Sequence, residues 1–217
     1  MTPLHRHQIA WLSHAGWQRL LDGDWDDEAR ACLLHWAAQG LPVVVTRQPP
    51  GDDGIALGLS APTRWNRRRL ALRVTRAEVL YFDEFPRLEK ITAQLPAAAR
   101  MPARQLAVAL QGCCATARVY GSHGWQHLSG LDHLRDGSDL DLWVAVNDAE
   151  QADAVAAALA AFSSTGCRLD GELIFPGDRG IAWREWQAWR AGRAQALLVK
   201  RLHGASLETP EPSEALA

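Results

Sequence analysis

Two aspartates separated by one residue stand at the head of an apolar run in "GSDLDLWVAV", residues 137–146. Because side chains alternate between the two faces of a strand, Asp139 and Asp141 project to the same side, roughly 7 Å apart at the backbone. Carboxylates this close repel each other and one pKa rises, unless a cation lies between them. Oxygen donors favour Mg²⁺ or Mn²⁺ over zinc, and Mg²⁺ commonly also binds substrate phosphates. The pair therefore predicts phosphoryl or nucleotidyl transfer.

A bare D-x-D also occurs at solvated strand ends, so the surrounding residues decide between the two interpretations. Upstream, Gly121 and Ser122 directly follow the short predicted strand "RVYGS", where a glycine lets backbone N–H groups approach a phosphate closely. Downstream, Asp170 and Glu172 share one face of the predicted strand "CRLDGELIFP". Either of these two residues can supply a third carboxylate from an adjacent strand.

This order of motifs resembles the nucleotidyltransferase superfamily of DNA polymerase β type, although the gap between Ser122 and Asp139 is longer than usual there. The segments "RVYGSHGWQHLSGLDHLRDGSDLDLWV", "RLDGEL" and "AWREW" resemble one particular family, the malonate decarboxylase holo-acyl-carrier-protein synthases, or phosphoribosyl-dephospho-CoA transferases. The resemblance covers about half of the chain, from residue 102 to residue 202.

The resemblance implies a Mg²⁺-dependent enzyme. Its reaction moves the phosphoribosyl-dephospho-CoA group from 2'-(5''-triphosphoribosyl)-3'-dephospho-CoA to a serine of the acyl-carrier-protein subunit of malonate decarboxylase and releases pyrophosphate. By the matching motifs, Asp139 and Asp141 bind the metal, which can be Mg²⁺ or Mn²⁺, and the Gly-Ser pair holds the leaving group. Asp170 or Glu172 binds a second metal or orients the serine hydroxyl, and Asp170 is the preferred third metal ligand.

An arginine-rich segment, "TRWNRRRLALR", stands out in a chain whose formal net charge is -2. One interpretation is a solvated strand edge protected by charge. The other is an anion-binding patch for the substrate phosphates or for an acidic carrier protein, since the planar guanidinium donates two hydrogen bonds at once. Arg69 and Arg73 alternate within the apolar strand, and Arg73 is expected to point inward. Arg135 and Arg184 are further candidates for substrate binding, although Arg184 also has a possible ion-pair partner in Glu185.

Three histidines, His123, His127 and His133, fall in the segment between the Gly-Ser pair and the acidic pair. Their spacing lacks the His-x-x-x-His pattern of a helical zinc site, so we expect histidines at the surface.

The pattern of elements predicts an α+β protein of two domains. Residues 1–90 form a small α+β domain with the arginine-rich strand, residues 91–205 form a nucleotidyltransferase-like domain with a mixed sheet flanked by helices, and residues 206–217 form a disordered tail. The joint is expected near residues 86–102. Within these units, "RAEVLYFDEFPRLEKITAQL" is expected to be helical with a break at Pro86, a helix is expected to begin at Pro102, and residues 123–137 are expected to form a loop.

Composition narrows the class of protein. The 217 residues are 47% hydrophobic and 22% charged, which is ordinary for a globular protein. The pI near 6.4 means that the protein as a whole lacks the positive charge typical of proteins that bind nucleic acid or anionic membranes. No apolar run reaches the ~20 residues that cross a bilayer, and the start lacks a secretory signal, so a cytoplasmic protein is expected. The four cysteines lack metal-site spacing and are expected to be reduced.

Two other functions remain compatible with the residues. One is a nucleotidyltransferase that uses an ordinary nucleoside triphosphate on another acceptor. The second is a non-catalytic binding module that uses the arginine patch. Three mutually repelling carboxylates argue against the second, because a site without function has no reason to keep them.

Overall fold

The computed structural model describes residues 4–51 and 53–209, and its strands form two sheets. The first sheet has five antiparallel strands and the second is a mixed sheet of six. Helices pack on both, so the predicted two-domain α+β class is confirmed.

The first sheet has the strand order β4-β3-β2-β1-β5. Its elements are β1 (Gln8–Leu12), α1 (His14–Leu21), α2 (Asp27–Gln39), β2 (Val43–Val45), β3 (Ile55–Ser60), β4 (Arg69–Val74) and β5 (Val79–Glu84). Helices α1 and α2 cover one face of this sheet, where Trp17, Leu33 and Trp36 pack against alternate residues of the strands. The strands therefore bury every second side chain, as the burial of Leu70 and Leu72 between exposed neighbours illustrates.

The second sheet has the strand order β11-β10-β9-β8-β7-β6, and only the β7–β8 pair is parallel. Its elements are α3 (Leu88–Ile91), α4 (Ala97–Gly112), β6 (Ala117–Val119), α5 (Gly121–Ser129), β7 (Leu140–Ala145), α6 (Ala149–Ala160), β8 (Leu169–Phe175), β9 (Arg179–Ala182), α7 (Trp183–Arg190), β10 (Leu197–Arg201) and β11 (Gly204–Glu208). Helix α6 makes the crossover that a parallel pair requires.

Strand β7 is half buried. Leu140, Leu142 and Val144 lie in the core beneath α4 and α6, which leaves the alternate face, with Asp141, free to take part in a site.

The two sheets meet through a small apolar cluster. Ile9 of β1 and Phe85 pack against Trp125 of α5, and the rings of Phe85 and Trp125 meet edge to face at 5.5 Å. The segment before β1 reaches farther across, because Arg6 forms an ion pair of 3.0 Å with Glu172 on β8. These contacts hold the first domain beside the edge of the acidic strands.

Four expectations about the elements need correction. The helix expected for "RAEVLYFDEFPRLEKITAQL" is wrong over residues 79–84, which form β5 and pair with β1. Helix α4 begins at Ala97, before Pro102, and α5 occupies the first part of the loop expected over residues 123–137. Strand β11 extends to Glu208, three residues into the segment expected to be a tail, while residues 210–217 lie outside the described residues.

Within the described ranges, no helix combines the length and apolar character needed to cross a membrane.

Candidate active site

The parallel pairing of β7 with β8 brings three carboxylates to one edge of the second sheet. Asp141 and Asp170 are direct partners in the register of this pair, so their side chains project from the same face. Asp139 immediately precedes β7 and lies on the side of Asp141. Glu172 is two residues farther along β8, where it faces the interior of the molecule.

Asp141 is the least compensated of these acids. Burial, followed by the charges of Asp170 and Asp139, raises the pKa of Asp141 to about 6. No group in the described part of the chain donates a hydrogen bond to its carboxylate. A half-buried anion in this situation is stabilised by a cation.

Asp139 is already paired. The Nε of Arg168 donates to Oδ1 of Asp139 at 2.9 Å and a second guanidinium nitrogen donates to Oδ2, so the pKa of Asp139 lies below its ordinary value. The same guanidinium lies 3.9 Å from Asp170, and its side chain is 66% exposed. An exposed cation therefore sits across the acidic cluster and is free to exchange its partners.

Gly121 permits the close approach of α5 to the acidic strand. It is the first residue of α5, has φ +61°, and a Cβ there would lie 2.0 Å from Oδ2 of Asp141. The N–H of Tyr120 donates to the carbonyl of Asp141 at 3.1 Å. The amino end of α5, where N–H groups lack helical partners, is thereby held against the carboxylates.

A cleft of about 460 Å³ opens over this cluster and is bordered by both domains. The first domain contributes Ser60, Arg67 and Arg69, and the second contributes α5, the following loop and the acidic pair. Guanidinium groups thus face carboxylates across a space large enough for a polyphosphate.

The floor of the cleft holds a buried histidine. His133 stacks on Trp125 with ring centroids 6.4 Å apart, and its Nε2 lies 3.0 Å from Oγ of Ser129. Burial and the charge of Arg67 lower the pKa of His133 to about 4. The expectation of surface histidines is wrong for His133 and for His123, which are 5% and 4% exposed.

Glu172 lies apart from the acidic cluster, in a set of cations. It forms ion pairs with Arg6 at 3.0 Å and Lys200 at 2.7 Å, and Nε2 of His7 lies 3.6 Å from its carboxylate. Burial alone would raise the pKa of Glu172, but these hydrogen bonds and charges hold it far below its ordinary value. Its contacts are those of a residue that joins the two domains.

The structure separates the predicted arginines. Arg69 and Arg135 line the cleft. Arg73 is exposed at the far end of β4 beside Gly54, so the expectation that it points inward is wrong. Arg184 donates to the carbonyl of Leu169 at 2.7 Å, and its guanidinium covers the ring of Trp183. Two residues of the predicted set therefore face the acids and two do not.

Sequence reasoning missed Arg168 and Ser60, and it named Arg67 only as a member of the arginine-rich segment. Arg168 lies inside "RLDGEL", two residues before Asp170, so its proximity to the acids followed from strand periodicity once that strand had been paired with β7. No pattern in the sequence around Ser60 predicts that it lines the cleft, because its position there depends on how the two domains meet.

The chemistry of the donors suits a hard divalent cation, although the chain alone does not complete a site. Within the described ranges, no three acidic, histidine or cysteine side chains converge closely enough to hold a metal. Asp139 and Asp141 nevertheless offer oxygen donors at the edge of an open cleft, and the uncompensated charge of Asp141 fits such an ion.

Comparison with known proteins gives consistent similarities over both domains. Residues 5–85 match the model of the phosphoribosyl-dephospho-CoA transferase MdcG N-terminal domain, and residues 87–211 match that of the C-terminal domain. The chain is 38% identical to the phosphoribosyl-dephospho-CoA transferase of Xanthomonas axonopodis, with 90% of this chain and 89% of that protein covered. Proteins with the same description from Xanthomonas euvesicatoria and Bradyrhizobium diazoefficiens are 35% and 34% identical, over 90% and 92% of this chain and 89% and 88% of their own lengths. No solved structure matches the chain significantly.

Proposed function

Because this chain belongs to the phosphoribosyl-dephospho-CoA transferase family, we propose that it moves the phosphoribosyl-dephospho-CoA group from 2'-(5''-triphosphoribosyl)-3'-dephospho-CoA to a serine of the acyl-carrier subunit of a malonate decarboxylase. The serine oxygen forms a bond to the α-phosphorus, the bond to the β-phosphate oxygen breaks, and pyrophosphate leaves. The observation that carries this proposal is the pairing of Asp141 with Asp170 beside Gly121.

Asp139 and Asp141 would hold Mg²⁺, and Mn²⁺ would suit the same oxygen donors. When bound, the ion would neutralise charge on the substrate phosphates. The raised pKa of Asp141 supports this assignment, since burial and two neighbouring acids leave its charge uncompensated. An ion bound there would compete with Arg168 for the Asp139 carboxylate.

The leaving pyrophosphate is assigned to the amino end of α5. The first N–H groups of α5 lack partners within the helix, and this end of the helix lies beside Asp141 in the cleft, so they suit an anion. Arg69 and Arg135 border the same cleft and can each donate two hydrogen bonds to phosphate oxygens.

Asp170 is the carboxylate that we assign to orient the incoming serine hydroxyl and accept its proton. It is the register partner of Asp141 and its side chain is 42% exposed, whereas Glu172 is committed to Arg6 and Lys200. Arg184 acts more remotely, by fixing the carbonyl of Leu169 at the start of β8.

We also propose that the reaction takes place in the cytoplasm. All four cysteines are free thiols, which is usual for a reducing compartment.

A reconstituted transfer assay tests the proposal. The purified protein, Mg²⁺, the triphosphoribosyl precursor and the apo carrier subunit should yield one prosthetic group per carrier and one pyrophosphate. Asp139→Asn and Asp141→Asn should each lower the rate more than about 100-fold, because phosphate charge then goes unneutralised. Asp136→Asn, an exposed acid in the same loop, is the matched control and should keep its activity.

Two results would contradict the proposal. One is normal transfer by both variants. The other is transfer from labelled ATP to the carrier at a rate equal to or above that from the precursor, which would identify an enzyme for ordinary nucleoside triphosphates.

A further inference from the structure

A second cavity of about 460 Å³ lies on the open face of the first sheet, next to the cleft. Both cavities are lined by Ser60 and Arg69, which are register partners at the ends of β3 and β4. We name this second cavity the sheet groove. It starts where the cleft ends and runs over Gly58 and Ala71 toward Val44 and Thr46 of the neighbouring strand segment.

The sheet groove is open because its floor is made of small residues. Strand β3 turns Leu57 and Leu59 into the core, so Gly58 and Ser60 face outward, and on β4 the exposed Ala71 lies opposite Gly58. A Cβ on Gly58 would lie 2.8 Å from Cγ2 of Thr46. Larger side chains at these positions would fill the space that the sheet leaves.

Guanidinium groups are among the residues that line the sheet groove. Arg6 and His7 line it, where Arg6 is held by its ion pair with Glu172 and the ring of His7 lies 4.2 Å from that of Tyr120. Arg47 and Arg69 also line the groove. An apolar floor with guanidinium groups along its edges is suited to a long, partly apolar molecule that carries phosphates.

The donor in the proposed reaction has such a second part. Beyond its triphosphate, it carries adenosine, a pyrophosphate linkage and the extended pantetheine arm. We propose, resting on the proposed function, that the sheet groove binds the dephospho-CoA portion of the donor. Arg69 lies where the cleft meets the sheet groove, and the pantetheine arm of the donor passes over Gly58 and Ala71.

A third cavity, of about 500 Å³, is the competing location. It is lined by residues 162–169 and by Trp183 and Arg184, and it shares only Gly137 with the cleft. Arg168, paired with Asp139, stands between this cavity and the acids. The sheet groove is favoured because it opens onto the cleft without that barrier.

Calorimetric titration with dephospho-CoA, which lacks the triphosphoribosyl group, tests the inference. The wild-type protein should bind it, and Ala71→Phe should weaken binding at least tenfold by filling the groove. Three variants should bind as the wild type does: Ala109→Phe, the same substitution at an exposed position of α4; Ser163→Phe, in the third cavity; and Asp141→Asn, at the acids. Far-UV circular dichroism and thermal unfolding would verify that Ala71→Phe is folded.

The possible outcomes separate the two proposals. If Ser163→Phe lost dephospho-CoA binding and Ala71→Phe did not, the dephospho-CoA portion would lie in the third cavity and the inference would be overturned. A wild-type protein that transfers the group from the precursor but does not bind dephospho-CoA, or an Ala71→Phe variant with wild-type affinity, would also overturn it while leaving the proposed function standing. A wild-type protein that neither transfers nor binds would overturn both.

Discussion

At the scale of single residues, the site is defined by how differently four acids are compensated. Asp139 pairs with an exposed arginine, the buried Glu172 pairs with Arg6 and Lys200, and Asp170 is partly exposed. Within the described part of the chain, the Asp141 carboxylate has neither an ion-pair partner nor a hydrogen-bond donor. These differences arise from position, since all four acids lie on or directly before two neighbouring strands. They assign separate tasks to chemically similar groups.

Replacing Asp170 and Glu172 separately should distinguish their tasks. Asp170→Asn should lower kcat more than about 100-fold. It should change the free energy of unfolding by less than about 1 kcal/mol, because it removes a charge that repels Asp141. Glu172→Gln should lower the free energy of unfolding by about 3 kcal/mol, since Arg6 and Lys200 lose their buried partner, and should change kcat less than about threefold. Urea unfolding and transfer rates measured well below the unfolding temperature supply both numbers. The reverse pattern would make Glu172 the third carboxylate.

The buried His133 should make stability depend on pH. Burial and the charge of Arg67 lower the pKa of His133 to about 4 in the folded protein, from its ordinary value of 6.5. The unfolded chain therefore binds more protons between these values, so stability present above pH 6.5 is lost as the pH falls toward 4. This histidine should account for about 2 kcal/mol of lost stability between pH 7 and pH 5.

Urea titrations at the two pH values measure this loss. His133→Gln should be less stable at pH 7 but should show a correspondingly smaller change on acidification. His14→Gln, at an exposed position on α1, should retain the full change. If the wild type and His133→Gln lost the same free energy of unfolding between pH 7 and pH 5, the assignment of this pH dependence to His133 would be contradicted.

The sequence identified the acids but not their partners, and the reason is distance along the chain. Period-2 alternation and a D-x-D motif are local, so Asp139, Asp141 and Asp170 could be named from short segments. The cations of Glu172 are different, because Arg6 precedes it by 166 residues. No pattern within "CRLDGELIFP" shows that Glu172 is neutralised by the other domain.

At the scale of elements, catalysis is expected to depend on the placement of α5 against Asp141, and Gly121 permits this close approach. Gly121→Ala should displace Asp141, since the added Cβ would lie 2.0 Å from its Oδ2 on a residue with φ +61°. We expect kcat/KM to fall more than about 100-fold, and stability to fall by about 2 kcal/mol from the contact and the strained φ.

Gly130, at the other end of α5, provides the matched control. It has φ +68° and nothing within 4 Å of an added Cβ, so Gly130→Ala should cost about 1 kcal/mol of stability and leave transfer intact. The transfer assay and urea unfolding of the two variants give the comparison. Equal loss of transfer in both would show that α5 needs only helix integrity, not contact with Asp141.

The errors over β5 and α5 have physical explanations. The helix-favouring residues Ala77 and Glu78 directly precede β5 and Leu80 lies within it, but pairing of β5 with β1 outweighs that preference. Helix α5 contains Gly121, Ser122 and Gly124, which are weak helix formers, and it is stabilised by packing of Trp125 against Phe85. In both cases tertiary contacts decided the conformation.

At the scale of the whole molecule, the acids come from one domain and several arginines of the cleft come from the other. Their relative placement depends on the cluster of Ile9, Phe85 and Trp125 and on the ion pair between Arg6 and Glu172. The α+β class could be predicted from the alternation of strand and helix patterns. The way the two sheets meet could not, because the contacting residues are scattered over both domains.

The close approach of Gly121 to Asp141 has a consequence for genome sequences. A descendant of this gene that keeps the acid is expected to keep glycine at the other position, because the added Cβ would lie 2.0 Å from the carboxylate. A copy that has lost the carboxylate escapes this contact but still bears the cost of a side chain at φ +61°. Under selection for catalysis, the acid and the glycine are therefore expected to be retained together.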